Sequence, residues 1–121
     1  MKKILVIEDE ATISLSLSEN LIEAGFEVIE STDGIDGLAK ALSIHPDLIL
    51  LDILMPKMDG LTMLEKLRRD AWGKTVPVMI LTNLNDATNV AAAIDSVNEY
   101  LVKVDWKVED IIKRIKEKLK V

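Results

Sequence analysis

Acidic side chains follow two short apolar runs of the chain. Glu8, Asp9 and Glu10 come directly after Ile4–Ile7, and Asp52 ends a second run. Carboxylates that share one crevice repel one another, and some would be protonated if no other charge compensated them. A hard dication removes this repulsion, and Mg²⁺ prefers one or two carboxylates, a carbonyl and several waters. The pattern therefore indicates a cation site, although solvated acids that favour the start of the next helix would give the same sequence.

Asp52 suggests a further kind of chemistry by its position. It follows Leu48–Leu51, a run that is apolar throughout. A carboxylate at the end of such a buried strand would be held rigidly and partly desolvated, which suits nucleophilic attack on phosphorus and formation of an aspartyl-phosphate. An Asp that only caps the turn after the strand is the alternative.

A hydroxyl and an ammonium group follow two more apolar runs. Thr82 comes after Val76–Leu81, and Lys103 comes after Tyr100–Val102. A phosphoryl group on Asp52 would need such partners, because Lys offers a point charge to one oxygen and Thr donates a hydrogen bond to another. Each residue alone could be a strand-end cap or a solvated charge. The informative feature is that the acids, the hydroxyl and the ammonium all stand at the ends of predicted strands.

The apolar runs predict the strands of a parallel sheet. Each run is too short for a buried helix, and strands that are buried on both faces of a parallel sheet are apolar throughout. Helical spacing of apolar residues predicts the elements between them. The predicted strands are Ile4–Ile7, a weaker run at 27–30, Leu48–Leu51, Val76–Leu81 and Tyr100–Val102, and the predicted helices cover 11–24, 34–44, 61–71, 87–95 and 108–121.

Residues 11–24 fit two patterns. Ile13–Ser18 alternates with period two, which is typical of a strand, whereas Leu17 and Leu21 continue a helical stripe that Gly25 would end. A helix is the prediction, because about 14 residues are long for a strand and parallel neighbours need a crossover. The order of elements predicts an α/β fold, a doubly wound (βα)₅ arrangement with a five-stranded parallel sheet. Sites in such sheets form beyond the carboxyl ends of the strands.

Composition and charge exclude several classes of protein. The chain has 121 residues, of which 49% are hydrophobic and 30% charged, as expected for one globular domain and not for a disordered chain. The formal net charge of −6 argues against binding to nucleic-acid phosphates. Cys is absent, and His45 is the single His, so neither a disulfide nor a zinc site is expected. No apolar run approaches the length of a membrane helix, and a cytoplasmic protein is expected.

Together these residues resemble the receiver domain of two-component response regulators, and the resemblance covers the whole chain. The pair Glu8–Asp9 resembles the family's acidic pair after the first strand. The stretch Asp52–Gly60, DILMPKMDG, is similar to the phosphoacceptor signature D-x-x-M-P-x-M-D-G and is the most specific stretch of the sequence. Thr82 and Lys103 stand where the family keeps a Thr or Ser and an invariant Lys, and Tyr100 matches its switch aromatic.

The resemblance implies a phosphorylation-dependent switch formed by one receiver domain, residues 1–121, with the flavodoxin-like strand order 2-1-3-4-5. Asp52 would accept a phosphoryl group from a sensor histidine kinase, a phosphotransfer protein or a small phosphodonor, with Mg²⁺ as the cofactor. The implied site residues are Asp52, Thr82 and Lys103 for catalysis, Thr82 and Tyr100 for the switch, and Glu8, Asp9, Asp52 and the Leu54 carbonyl for the metal, with Glu8 acting through water.

The implied output is contact with a downstream protein target, without direct binding to nucleic acid or membrane. Phosphorylation would shift the face formed by the helix at 87–95, the fifth strand and the C-terminal helix. The chain would be a monomer or a weak dimer that promotes its own phosphorylation and dephosphorylation and turns over no small substrate. Val104 stands where the family usually has Pro after a cis peptide, so a trans bond is expected, and Asn83 replaces a smaller residue.

Three other functions stay open from the sequence. A degenerate receiver would act by protein binding without phosphorylation, although all the site residues are present. A Mg²⁺-dependent phosphatase with an Asp nucleophile often carries a second Asp two residues later, where this chain has Leu54. A flavodoxin-like module for flavin or nucleotide needs a Gly- or Ser/Thr-rich loop after the first strand, where this chain has Glu8–Glu10.

Overall fold

Five short strands form one parallel sheet. The computed structural model describes residues 1–52, 60–82, 99–102 and 107–121. The strands are β1 (Lys3–Ile7), β2 (Glu27–Ser31), β3 (Leu48–Asp52), β4 (Val78–Thr82) and β5 (Glu99–Val102). Their order in the sheet is β2-β1-β3-β4-β5, as predicted. All five strands therefore end at the same edge of the sheet, which we call the carboxyl edge.

Helices on both faces complete a doubly wound α/β fold. They are α1 (Ala11–Glu23), α2 (Gly34–Ile44), α3 (Gly60–Arg69) and a C-terminal helix (Val108–Leu119). All four lie close to their predicted positions, and the helix predicted at 87–95 lies outside the described residues. Helix α1 contacts the C-terminal helix, and α2 contacts α3. Within the described ranges, no helix is long and apolar enough to cross a membrane.

The two central strands supply the core on both faces of the sheet. Ile4–Ile7 of β1 and Leu48–Leu51 of β3 are fully buried, which explains why both runs are apolar throughout. Alternate residues point to opposite faces. Leu5, Ile7, Ile49 and Leu51 pack with α2 and α3, whereas Ile4, Val6, Leu48 and Leu50 pack with α1 and the C-terminal helix. This packing holds the ends of β1 and β3 rigidly.

The alternating pattern in α1 comes from two serines that face β2. Ser14 and Ser18 are buried one helical turn apart, and their hydroxyls lie 3.1 and 2.6 Å from Oε1 of Glu30. Leu17 is buried in the core, whereas Leu15 is exposed. Helix α1 thus directs the hydroxyls of Ser14 and Ser18 toward β2, next to the helix's own apolar stripe. The period-two alternation in the sequence results from this arrangement and does not indicate a strand.

The buried face of α2 differs from the stripe that its sequence suggests. Ile35 and Leu42 have the spacing of core residues, yet they are 53% and 37% exposed, whereas Gly37 and Ala41 are buried. Small residues face the sheet because α2 lies very close to β1: a Cβ atom at position 37 would come within 2.6 Å of Cδ1 of Ile7. The prediction of the helix is confirmed. Of the apolar residues whose spacing predicts it, Leu38 packs against the core, whereas Ile35 and Leu42 do not lie on the inner face.

Arg68 stabilises the connection from α3 into β4. The sequence pattern places it on the outer face of α3, but its Nη1 atom donates hydrogen bonds of 2.8 Å to the carbonyls of Gly73 and Val76. Burial lowers the pKa of the Arg68 guanidinium, which nevertheless remains charged at neutral pH. The side chain therefore fixes the turn from which β4 runs toward the carboxyl edge.

Candidate metal centre and phosphoacceptor site

Pairing of β1 with β3 brings the predicted acids together. The two strands are parallel neighbours, and Ile7 of β1 is in register with Leu51 of β3. Glu8 follows Ile7 and Asp52 follows Leu51, so Glu8 and Asp52 lie side by side at the carboxyl edge. Asp9 follows Glu8 directly. The sheet register alone therefore places the three acids in one pocket.

The three side chains form a compact acidic group. One carboxylate oxygen from each of Glu8, Asp9 and Asp52 lies within 4.8 Å of the other two. Glu8 and Asp52 are only 1% and 4% exposed, whereas Asp9 is open to solvent. Burying two neighbouring carboxylates is costly unless an opposite charge compensates them. A cation that enters from the Asp9 side would supply that charge.

Backbone contacts orient Glu8 within this pocket. Its Oε1 atom accepts a hydrogen bond of 3.2 Å from the backbone N–H of Glu10, and its own backbone N–H donates to the carbonyl of Ser31 at 3.0 Å. Glu10 occupies the N-cap position of α1, but in the described part of the chain its side chain makes no capping hydrogen bond. The loop acids therefore do not behave as simple helix caps, which weakens the alternative interpretation of this segment.

The donor set fits a hard divalent cation. All three side chains offer carboxylate oxygens, which Mg²⁺, Mn²⁺ and Ca²⁺ prefer over the nitrogen and sulfur ligands that favour zinc or copper. The combination of two buried carboxylates and one open side matches the way Mg²⁺ is held, with a few protein oxygens and several waters. Glu8, Asp9 and Asp52 therefore meet the chemical requirements of the predicted metal site.

Of the remaining predicted site residues, the structure describes Thr82 and Tyr100. Asp52 is in register with Leu81 of β4, so Thr82 ends β4 at the level just beyond the acidic pocket. Thr82 is in register with Val102, the last residue of β5, and Tyr100 lies two residues earlier in that strand. Leu54, Asn83, Lys103 and Val104 lie outside the described residues.

One residue of this edge was not singled out from the sequence. Ser31 ends β2 at the same edge and is buried beside the backbone of Glu8. The signal was available, because a small polar residue at a strand end deserves the same attention on β2 as on the other four strands. The run at 27–30 has the weakest apolar signal of the five predicted strands, so the end of β2 is the hardest of the five strand ends to recognise.

The fold and the site together define an α/β protein of flavodoxin-like topology with an acidic cation pocket around a strand-end Asp. Residues 4–116 match the family model of the response regulator receiver domain. The chain therefore belongs to the response regulator receiver domain family, as predicted.

Individual relatives agree with this assignment. The DNA-binding dual master transcriptional regulator RpaA of Synechocystis is 40% identical over 121 residues, which cover 99% of this chain and 50% of RpaA. Among solved structures, the chemotaxis response regulator CheY4 of Vibrio cholerae has a TM-score of 0.88 at 29% identity and covers 97% of this chain and 98% of its own. TrrA of Thermotoga maritima, solved in complex with Mg²⁺-BeF, has a TM-score of 0.84 at 30% identity, with 97% and 98% coverage. The chain spans about half the length of the curated relatives it matches.

Proposed function

We propose that this chain is a phosphorylation-dependent switch in which Asp52 accepts a phosphoryl group with the help of Mg²⁺. The observation that carries the proposal is the acidic pocket itself, in which carboxylate oxygens of Glu8, Asp9 and Asp52 lie within 4.8 Å of one another. This pocket fits both Mg²⁺ and aspartyl phosphorylation. Residues 1–121 act as one receiver domain in this proposal.

The phosphodonor is the phosphohistidine of a sensor histidine kinase or a phosphotransfer protein, or a small acyl phosphate. One carboxylate oxygen of Asp52 attacks phosphorus while the bond from phosphorus to the leaving group breaks. A phosphohistidine that is protonated on its other ring nitrogen leaves as neutral imidazole, and an acyl phosphate releases its carboxylate. Water later attacks the same phosphorus, which releases phosphate and restores the Asp52 carboxylate. Both steps are in-line phosphoryl transfers, in which catalysis consists mainly of positioning and charge compensation.

The metal and the remaining residues supply that compensation. Glu8, Asp9, Asp52 and the Leu54 carbonyl would hold Mg²⁺, Glu8 through water, and the bound ion would supply charge compensation for the transferring phosphoryl oxygens. Lys103 pairs with the carboxylate or the phosphoryl group as a point charge. Thr82 donates a hydrogen bond from its hydroxyl to a phosphoryl oxygen and thereby takes part in the switch. Its position at the end of β4 supports this role.

Movement of Thr82 toward the phosphoryl group leaves space that Tyr100 fills. This coupled movement shifts the face formed by the segment at 87–95, β5 and the C-terminal helix between two states. A downstream protein that prefers one state reads the signal, and contact with that protein is the output. Direct binding to nucleic acid is not part of the proposal, since the net charge is −6. The expected cytoplasmic location and monomeric or weakly dimeric state stay predictions.

The arrangement of the acids favours this function over the alternatives. A degenerate receiver has no need for two buried carboxylates beside a third, because their mutual repulsion destabilises the fold without a cation. A flavin or nucleotide module needs backbone donors after β1, but this chain has Glu8, Asp9 and Glu10 there. A phosphatase that acts on small substrates would need a second Asp as acid and base two residues after Asp52, where this chain has Leu54.

Intact-mass spectrometry tests the proposal. The protein is incubated with a small acyl phosphate, with Mg²⁺ or with a chelator. One phosphoryl adduct is expected on the wild type with Mg²⁺ only, and none on Asp52→Asn. Asp47→Asn is the matched control, because Asp47 lies before β3 at the opposite edge and the same substitution there should leave the adduct intact. A wild type that never gains an adduct, or an Asp52→Asn variant that gains one, would contradict the proposal.

A further inference from the structure

We propose that the end of β2 is a positioning element for the metal pocket, in which Glu30 and Ser31 hold the segment 8–10 in place through uncharged hydroxyl groups. These hydroxyls belong to Ser14, Ser18 and Ser31, and none of them belongs to the acidic group that would bind the cation. The inference rests on the proposed function, because it concerns the affinity of that pocket for Mg²⁺.

The first link joins β2 directly to the pocket. The Ser31 carbonyl accepts the backbone N–H of Glu8 at 3.0 Å, which continues the β1–β2 pairing by one residue beyond Ile7. Ser31 is only 2% exposed, so water does not readily replace this bond. The position of the Ser31 peptide therefore sets where the Glu8 backbone leaves the sheet.

The second link fixes that peptide from the side of α2. The Ser31 hydroxyl lies 2.8 Å from Oδ2 of Asp36 and 3.1 Å from the carbonyl of Asp33, at the start of α2. Lys40 Nζ lies 2.9 Å from the same Asp36 oxygen and 2.6 Å from the carbonyl of Glu30. The Glu30 carbonyl and the Ser31 side chain are thereby both held by residues in the first two turns of α2.

The third link reaches the other end of the segment through α1. Oε1 of Glu30 accepts the Ser18 hydroxyl at 2.6 Å and the Ser14 hydroxyl at 3.1 Å. Helix α1 begins directly after Glu10, whose N–H donates to Oε1 of Glu8. The segment 8–10 therefore spans from a strand held by Ser31 to a helix held by Glu30, and β2 controls both ends.

This arrangement predicts an effect on cation binding without any change of charge. Ligand positions in a metal site must be held to within about 0.5 Å, and loss of a supporting hydrogen bond typically weakens metal binding about 10–100-fold. The Ser31 hydroxyl acts on Glu8 through one intervening peptide, and Ser18 acts on the segment 8–10 through the Glu30 side chain and helix α1. A smaller effect is therefore expected, a rise of about threefold or more in the Mg²⁺ dissociation constant. Because serine is neutral, long-range electrostatics do not contribute to the change.

The test is a calorimetric titration of Mg²⁺ into the unphosphorylated protein at a temperature where every variant is folded by circular dichroism. Ser31→Ala and Ser18→Ala are each expected to raise the dissociation constant about threefold or more. Ser43→Ala is the matched control, since it makes the same substitution in a helix at an exposed hydroxyl 3.3 Å from the Lys40 carbonyl. It should bind Mg²⁺ like the wild type.

The outcomes separate this inference from the proposed function. A wild-type affinity in both Ser31→Ala and Ser18→Ala overturns the inference and leaves the phosphoacceptor proposal standing. An equal loss of affinity in Ser43→Ala also overturns it, because the effect would then be general loosening of the fold. A wild type that binds no Mg²⁺ contradicts the proposed function itself. If Ser31→Ala does not fold, Ser18→Ala alone decides, since it removes the shorter hydroxyl contact to Glu30.

Discussion

Asp52→Asn is expected to stabilise the metal-free protein, although Asp52 is one of the most buried polar residues described. One of its carboxylate oxygens lies within 4.8 Å of a carboxylate oxygen of Glu8 and of one of Asp9. Two unit charges at such a distance repel by about 3 kcal/mol at an effective dielectric constant of about 20. Water around the exposed Asp9 and the proposed pairing of Asp52 with Lys103 offset much of this repulsion, so we expect a net gain of about 1–2 kcal/mol in the free energy of unfolding.

With Mg²⁺ bound, the wild type should become more stable than Asp52→Asn. A cation that binds only the folded state stabilises it by about 2.7 kcal/mol at a concentration one hundred times its dissociation constant. The wild type should show this gain, because its three carboxylates both attract and ligate the ion. Asp52→Asn removes one negative charge and leaves an amide oxygen, a weaker ligand, in place of the carboxylate, so its free energy of unfolding should respond little to the same Mg²⁺ concentration.

Urea unfolding followed by circular dichroism, with a chelator and with saturating Mg²⁺, measures both effects. Asp47→Asn is the control of opposite sign. Oδ2 of Asp47 accepts the backbone N–H of Lys3 at 2.8 Å, so its neutralisation should destabilise the protein in both buffers. That loss should be about 1 kcal/mol, while the Mg²⁺ response stays that of the wild type. Destabilisation of Asp52→Asn in chelator, or a wild-type Mg²⁺ response in that variant, would refute the electrostatic reasoning.

Two further predictions concern the fold around the site. Gly37→Ala should lower the free energy of unfolding by about 1 kcal/mol in urea titrations. Overpacking against Ile7 costs about 1–3 kcal/mol, and the better helix propensity of Ala offsets about 1 kcal/mol of this cost. A gain in stability would show that Ile7 moves aside freely. Arg68→Ala should lower it by about 2–3 kcal/mol, because two carbonyls in the turn before β4 lose their donor. An unchanged thermal midpoint in that variant would show that water replaces the guanidinium.

The parallel sheet and its acidic edge are predictable from the sequence because burial on both faces leaves a strong signal. Ile4–Ile7 and Leu48–Leu51 contain only apolar residues, and the acids directly after them mark where those strands end. Parallel pairing then brings Glu8 and Asp52 together without any further information. The prediction succeeds here because local sequence and sheet topology give the same answer.

The supporting contacts of the pocket are not predictable in this way. Ser14 and Ser18 resemble solvent-facing residues of a strand or a helix, and only the approach of α1 to β2 reveals that both face Glu30. The apolar spacing of Ile35 and Leu42 likewise predicts a buried face, but the close approach of α2 to β1 admits only small residues such as Gly37. Distances between elements, which hydrophobic patterning does not encode, decide both cases.

The most direct test of the central claim locates the phosphoryl group on the chain. The wild type is incubated with a small acyl phosphate and Mg²⁺, reduced with borohydride, which converts an aspartyl-phosphate to homoserine, and digested for peptide mass spectrometry. The proposed function predicts homoserine at position 52 alone, and only when Mg²⁺ is present. Homoserine at Asp9 in place of Asp52, or no reduced residue at all, would contradict the assignment of Asp52 as the phosphoacceptor.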